Sequence, residues 1–222
     1  MIRKIVIIIV CIWVLLLAKS YRDALRIQRN EWLVRDAYYG DLLSVKTDVE
    51  RGADLSFEFY FSDEEREYAG AVFNALHAAA SSGNEDVINY LLEQGMDIDA
   101  LTPNGWTPLF IATRDGQSEA AKLLIFRGAK LNTQSNLGAT ALLMAVTQKY
   151  PSEQAQLDLI SYLLARGADP NLADRNGHTA LYYATALKNK KIIALLKKHG
   201  AKLTPPAKKE QKSPAPTEQG KK

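Results

Sequence analysis

Apolar and polar positions fall into two regimes along this chain. The first is an unbroken apolar run of fourteen residues, Ile5 to Ala18. It has no polar face, so it does not read as a helix lying on a soluble core, which needs a one-sided apolar stripe. Beyond it the pattern becomes a series of short periodic segments, each closed by glycine. Gly52-Ala53-Asp54, Gly95-Met96-Asp97, Gly128-Ala129-Lys130, Gly167-Ala168-Asp169 and Gly200-Ala201-Lys202 end five such segments, their glycines 43, 33, 39 and 33 residues apart. Gly105-Trp106-Thr107-Pro108-Leu109, Gly138-Ala139-Thr140-Ala141-Leu142 and Gly177-His178-Thr179-Ala180-Leu181 open three of them. Self-similarity at a nearly fixed period predicts stacked supersecondary units that bury a continuous core only together. Ten residues are inserted after Asp54 and six within the fourth unit.

Each recurring residue has a physical task. Thr107, Thr140 and Thr179 can cap helix N-termini, and Pro108 suits a first helical turn, where its missing N–H is not needed. Ala79, Ala112, Ala145 and Ala184 are small enough for the two helices of a unit to pack closely. Leu91-Leu92, Leu123-Leu124, Leu163-Leu164 and Leu195-Leu196 would supply the core between units. Gly95, Gly128, Gly167 and Gly200 then stop the second helix by entering the left-handed conformation. Lys149 and Lys188 stand where a glycine is usual between helices.

These motifs resemble the ankyrin-repeat family, whose repeat is Thr-Pro-Leu-His-x-Ala, a short turn, a Leu-rich helix and Gly-Ala-Asp. The resemblance covers roughly residues 37–202, and Gly105 to Ala129 is its best single repeat. It implies an all-α ankyrin-repeat solenoid, helix-turn-helix repeats with β-hairpin loops, preceded by an N-terminal hydrophobic helix. About five repeats are expected, near 30–55, 71–100, 105–133, 138–172 and 177–203, inside a domain of residues 21–203. The first, which lacks Thr-Pro-Leu-His but ends in Gly52-Ala53-Asp54, and the last, whose Lys-rich second helix has a polar outer face, read as capping repeats. Residues 204–222, rich in Lys and Pro, read as a disordered tail.

Residues 1–20 are expected to be a transmembrane anchor or a signal peptide. A spanning helix asks for about 20 apolar residues, whereas fourteen suits a signal-peptide core. Ala18-Lys19-Ser20 is a weak cleavage site, and Lys19, Arg22, Arg26 and Arg29 crowd the exit, which favours an anchor whose flanking cations snorkel. Residues 5–18 are thus read as a single-pass membrane anchor. The initial Arg3-Lys4 pair puts the repeats on the extracytoplasmic side, although the bases after the run favour the reverse. The alternative is a secreted or periplasmic chain cleaved near Ser20. The resemblance is to ankyrin proteins of the bacterial membrane-anchored or exported type.

The formal net charge of +3 conceals a strong pattern. Residues 1–36 hold seven bases and three acids, 37–185 ten bases and twenty acids, and 186–222 eleven bases and two acids. An acidic middle argues against nucleic acid, which is met by a basic folded face. It favours a protein partner with a basic patch. Cys11 is the one cysteine, so neither an intramolecular disulfide nor a thiolate metal site is available.

Candidate chemistry is sparse. The resemblance puts His77 in a slot that bonds the backbone of a neighbouring repeat, and His178 and His199 also have repeat positions. No phosphate loop, nucleophile elbow or paired-carboxylate site is visible, and Asp63-Glu64-Glu65-Arg66-Glu67 lacks EF-hand spacing. No enzyme, cofactor or metal is expected. The expectation is a monomeric module that binds a protein on the concave side, formed in this family by hairpin tips and first-helix ends. Carried onto this chain, the contact residues are Tyr38, Tyr39, Leu101, Asn104, Trp106, Arg114, Leu137, Arg175 and His178. Period-two alternation over Ser56-Phe57-Glu58-Phe59 predicts an extended arm that adds Phe59 and Phe61. A different function class, an exported accessory or immunity-like factor that inhibits or protects an enzyme, rests on family analogy alone.

Overall fold

The computed structural model describes residues 2–60 and 72–203, with side chains from Leu16 to Phe59 and from Val72 to Leu203. Its helices run in consecutive pairs: α1 (Ile2–Tyr39) with α2 (Leu42–Glu50), α3 (Ala75–Ser82) with α4 (Glu85–Glu93), α5 (Pro108–Arg114) with α6 (Ser118–Phe126), α7 (Ala141–Thr147) with α8 (Glu153–Ala165), and α9 (Ala180–Ala186) with α10 (Lys190–Lys198). A short antiparallel ribbon, β1 (Phe59–Tyr60) and β2 (Val72–Phe73), precedes α3 with Phe59 opposite Phe73. The arm expected after Asp54 therefore begins as a strand. Phe61 and the acidic cluster Asp63–Glu67 lie outside the described residues.

The caps are those the sequence implied. The hydroxyls of Thr107, Thr140 and Thr179 accept from the amides of Phe110, Leu143 and Tyr182, and Pro108 occupies the first turn of α5. Asn74 does the same work for α3 in a capping box with His77. Two ladders of side chain to backbone bonds then tie each pair to the next. At one end, Asp99, Asn132 and Asn171 accept through Oδ1 from the amides of Lys130, Asp169 and Lys202 at 2.8–2.9 Å, and Asn30 accepts in the same way from the Asp54 amide within the first pair. At the other, Asn84, Gln117 and Tyr150 donate to first-helix carbonyls of the preceding pair: Tyr38 at 2.8 Å, Ser81 at 3.1 Å and Thr113 at 2.7 Å. These satisfy carbonyls that a helix C-terminus leaves open.

The core is one continuous cluster from Leu33 to Leu196. Ala79, Ala112, Ala145 and Ala184 are fully buried, and Leu91, Leu124 and Leu196 of their pairs and both Leu163 and Leu164 reach the interior. The six-residue insertion is absorbed by a longer α8 of 13 residues and the turn before it. Gln156 folds back from α8 to donate to the carbonyls of Ala145, Val146 and Gln148, ending α7 without the usual glycine. Lys188 takes the other route. It adopts φ of 55°, the left-handed conformation that Gly116 holds between α5 and α6.

Between Ser20 and Tyr21 there is no break: the backbone stays helical from Ile2 into the residues Asn30, Leu33, Val34 and Ala37 that pack on the array. Side chains of the apolar run up to Leu15 lie outside the described ones. Among the described residues, no helix is long and apolar enough to cross a membrane.

Candidate protein-binding face

The row of first helices packs more closely than the row of second helices. The helices α1, α3, α5, α7 and α9 thus form the closely packed inner row of the array, and the second helices form its outer row. The hairpins before α5, α7 and α9 extend this inner surface. They are stitched tip to tip, Asn136 N–H to the Asn104 carbonyl at 3.0 Å and Arg175 N–H to the Leu137 carbonyl at 2.9 Å.

One column on this surface is built by the residue before each threonine cap: Trp106, Ala139 and His178. Four positions later, one helical turn along, stand Phe110 and Leu143, both buried beneath the column, and the exposed Tyr182. Trp106 stacks on Phe110 with centroids 5.8 Å apart and an interplanar angle of 12°. His178 stacks on Tyr182 at 3.9 Å and 4°. Two aromatic steps thus flank the small side chain of Ala139.

Arg114 is fixed above the first step. Its guanidinium lies 4.7 Å from the Trp106 ring centroid and 6.0 Å from that of Phe73. It grips Asp115 with both ends of its fork, at 2.6 and 2.9 Å, and Ser81 donates to Asp115 at 2.6 Å. A planar cation over an indole, held by a bidentate carboxylate, has little rotamer freedom left to lose on binding. At the second step the Tyr183 hydroxyl donates to Asp174 Oδ2 at 2.6 Å, and His178 Nδ1 lies 4.0 Å from the same oxygen. Burial pushes the Asp174 carboxyl up, but the Tyr183 hydroxyl and the amides of His178 and Asn176 outweigh it and hold the group below its ordinary value. The same bond to Asp174 raises the Tyr183 phenol to about 12.

The other expected contact residues divide. Tyr39, Leu101, Asn104, Leu137 and Arg175 are exposed, Leu101 and Leu137 by more than half. Tyr38 is half-buried on the core and meets Tyr39 edge to face at 5.4 Å. Phe59 also packs on the core, with Arg35 5.8 Å from its ring centroid, so it covers the edge of the array more than it offers a contact. Asp115 and Asp174 belong to the two aromatic steps, but other described carboxylates of the middle segment lie elsewhere. Glu85, Asp86, Glu119 and Glu153 occupy first turns of second helices, where they meet the positive end of the helix dipole. Phe110, Tyr182, Tyr183 and Asp174 were not singled out from the sequence. The four-residue spacing of Trp106 to Phe110 and of His178 to Tyr182 is the signal that would have found the stacks.

His77 is structural. Its Nε2 lies 3.0 Å from the Ala100 carbonyl and its Nδ1 accepts from the Asn74 amide, which fixes a neutral ring. Burial lowers it from 6.5 to about 4, opposed by its bonds to the backbone. Among the described residues, no group of three His, Cys, Asp or Glu side chains is placed to hold a metal ion.

Paired helices stacked in register, with capped hairpins and an aromatic inner surface, define a repeat solenoid of the protein-interaction class. The family described as ankyrin repeats (3 copies) matches residues 56–135 and 127–207, and the chain belongs to that family. A putative ankyrin repeat-containing protein of Treponema pallidum (strain Nichols) is 38% identical over 124 residues, 56% of this chain and 40% of the relative. Ankyrin repeat, SAM and basic leucine zipper domain-containing protein 1 of Dasypus novemcinctus is 32% identical over 123 residues, 55% of this chain and 25% of its own length. The chain thus spans less than half the length of either relative.

Proposed function

We propose that this protein captures a protein partner on the inner surface of its array, with the stacked Trp106–Phe110 pair under Arg114 as the anchor point. All five helix pairs act as ankyrin repeats, the α1/α2 pair closing the array outside the residues matched to the family. That fixed step carries the reading: Trp and Arg are the types that dominate binding hot spots, and here both are held in place before a partner arrives. His178 on Tyr182 supplies the second anchor, and exposed Leu101 and Leu137 the apolar rim. A basic patch on the partner would meet the first-turn carboxylates of the second helices. The module acts as a monomer and without catalysis. A photocrosslinking residue at Ala139 should trap a discrete adduct in cells, and one at Phe126 on the outer row should not. Adducts from the outer position alone would overturn the assignment of the face.

The same reading includes a tether. Residues 5–18 would sit in a membrane, because they form fourteen consecutive apolar residues at the start of a helix that runs on into the array. The repeats are placed on the extracytoplasmic side on the strength of the Arg3-Lys4 pair. A phosphatase reporter fused after the last residue tests the side. An active reporter supports the placement, and an inactive one reverses it.

A further inference from the structure

Beyond the apolar run, α1 carries Lys19, Arg22, Arg26 and Arg29, spaced three, four and three residues apart. In a helix turning about 100° per residue these four lie within about 80° of arc. They form one seam about 15 Å long, at a rise of about 1.5 Å per residue. Every residue from Leu16 to Gln28 is exposed, so nothing described in the fold covers this stretch. Leu17, Tyr21, Leu25 and Trp32 fall on a separate face, also exposed. The seam continues the side of α1 that, further along, packs on the array through Asn30, Leu33 and Ala37. The array therefore lies on the same side of α1 as the cations. Arg29 donates to the Arg51 carbonyl of the first pair, Arg26 lies in the field of Asp54, and Arg29 in that of Asp48. Lys19 and Arg22 stand nearest the apolar run.

We infer that this seam is a binding surface for the headgroups of anionic phospholipids, an inference that rests on the membrane tether above. Four cations in line begin where the apolar run ends, at the level where phosphates of a bilayer stand if that run is inserted. A headgroup layer is thinner than the seam is long. Lys19 and Arg22 reach phosphates directly, and Arg26 and Arg29 do so when α1 leans towards its basic side. Charge complementarity selects anionic over zwitterionic headgroups, and the lean draws the first helix pair towards the surface.

The test uses the full chain in mild detergent micelles with phosphatidylglycerol and phosphatidylcholine in equal amounts, followed by mass spectrometry of the lipid retained on the purified protein. Wild type should retain phosphatidylglycerol in several-fold excess, and the excess should shrink as salt is raised. It should vanish in the Lys19→Gln, Arg22→Gln, Arg26→Gln, Arg29→Gln variant. Lys19→Gln with Arg22→Gln, which touches no part of the array, should halve it or more and keeps the result readable if the fourfold variant folds poorly. Equal retention of both lipids by wild type, or an excess unchanged in the variants, overturns the seam. Failure of wild type to float with phosphatidylcholine vesicles overturns the tether itself, and the seam with it.

Discussion

Tyr183, on the first helix of the last pair, donates its hydroxyl to Asp174 in the hairpin that introduces that helix, at 2.6 Å. Asp174 also accepts from the amides of Asn176 and His178. One carboxylate therefore shapes the tip that carries Arg175 and the ring that stacks on Tyr182. Tyr183→Phe removes a hydrogen bond to a charged acceptor and should cost about 2 kcal/mol in urea unfolding. Because Asp174 is held below its ordinary 3.8, its contribution is present above that value and disappears as pH falls through the folded one. The variant should lose part of this acid dependence. An unchanged midpoint would mean that the hairpin is shaped without the phenol.

His77 gives the array a milder acid limit. A histidine lowered from 6.5 to about 4 contributes stability that is full above 6.5 and declines as pH falls towards 4. The span corresponds to about 3 kcal/mol. Protonation would place a donor at Nδ1, where the Asn74 amide already donates. Unfolding followed by circular dichroism should show stability falling between pH 6.5 and 4. His77→Gln should flatten that slope while lowering stability at pH 7.

The carboxyls of Asp36 on α1 and Asp48 on α2 are neighbours, and both are raised above their ordinary 3.8. Burial is the first cause for each. Asp41 and the partner carboxyl add to it at Asp36, while Arg51 and Arg29 oppose it at Asp48. Asp48 Oδ2 is buried without a partner among the described residues. A raised carboxyl favours folding at low pH, and that benefit is lost as pH rises from 3.8 through the folded value. Asp48→Asn places an amide donor against the Asp36 carboxylate and removes the repulsion, so it should stabilise the first pair by about 1 kcal/mol at pH 7. A loss of stability at neutral pH would count against this account.

Lys188 holds φ of 55° at the cost a side chain incurs in the left-handed region. Lys188→Gly should raise stability by about 0.5–1 kcal/mol, the reverse of the usual penalty for glycine. Differential scanning calorimetry of the pair would read it, and a lower melting temperature would show that Lys188 makes a compensating contact.

At the proposed anchor, Trp106→Ala should weaken capture of the partner by about 2 kcal/mol or more. Phe126→Ala, on the outer row, should change it little. Equal losses from both would indicate a partner that does not rest on the aromatic step.

Much of this fold was legible because its signals are local. A threonine cap, a proline at the first turn and a glycine at the helix end each act within a few residues, so Thr107, Pro108 and Gly128 could be placed from sequence alone. Inter-pair bonds were harder to see. Tyr150 reaches Thr113 across 37 residues, and no motif marks a tyrosine for that carbonyl. The candidate face was legible in part. Trp106 and His178 stood out by type and position, but whether an aromatic is stacked, buried or presented depends on neighbours from other repeats. Phe59 shows the limit: it looked like part of a free arm and lies half-buried against the core, beneath Arg35. Charge was the least transferable reading, since a segment's net acidity does not say which helix turns hold the carboxylates.

The unbroken α1 has a mechanical corollary. With no hinge between Leu16 and Asn30, the N-terminal end and the array are locked in rotational phase, like a blade on a shaft. One residue inserted near Ala24 would turn everything beyond it by about 100° and lift it by about 1.5 Å. Binding of a partner held in a fixed position should therefore vary periodically with insertion length, recovering near four and seven added residues. A flexible linker would give no such periodicity.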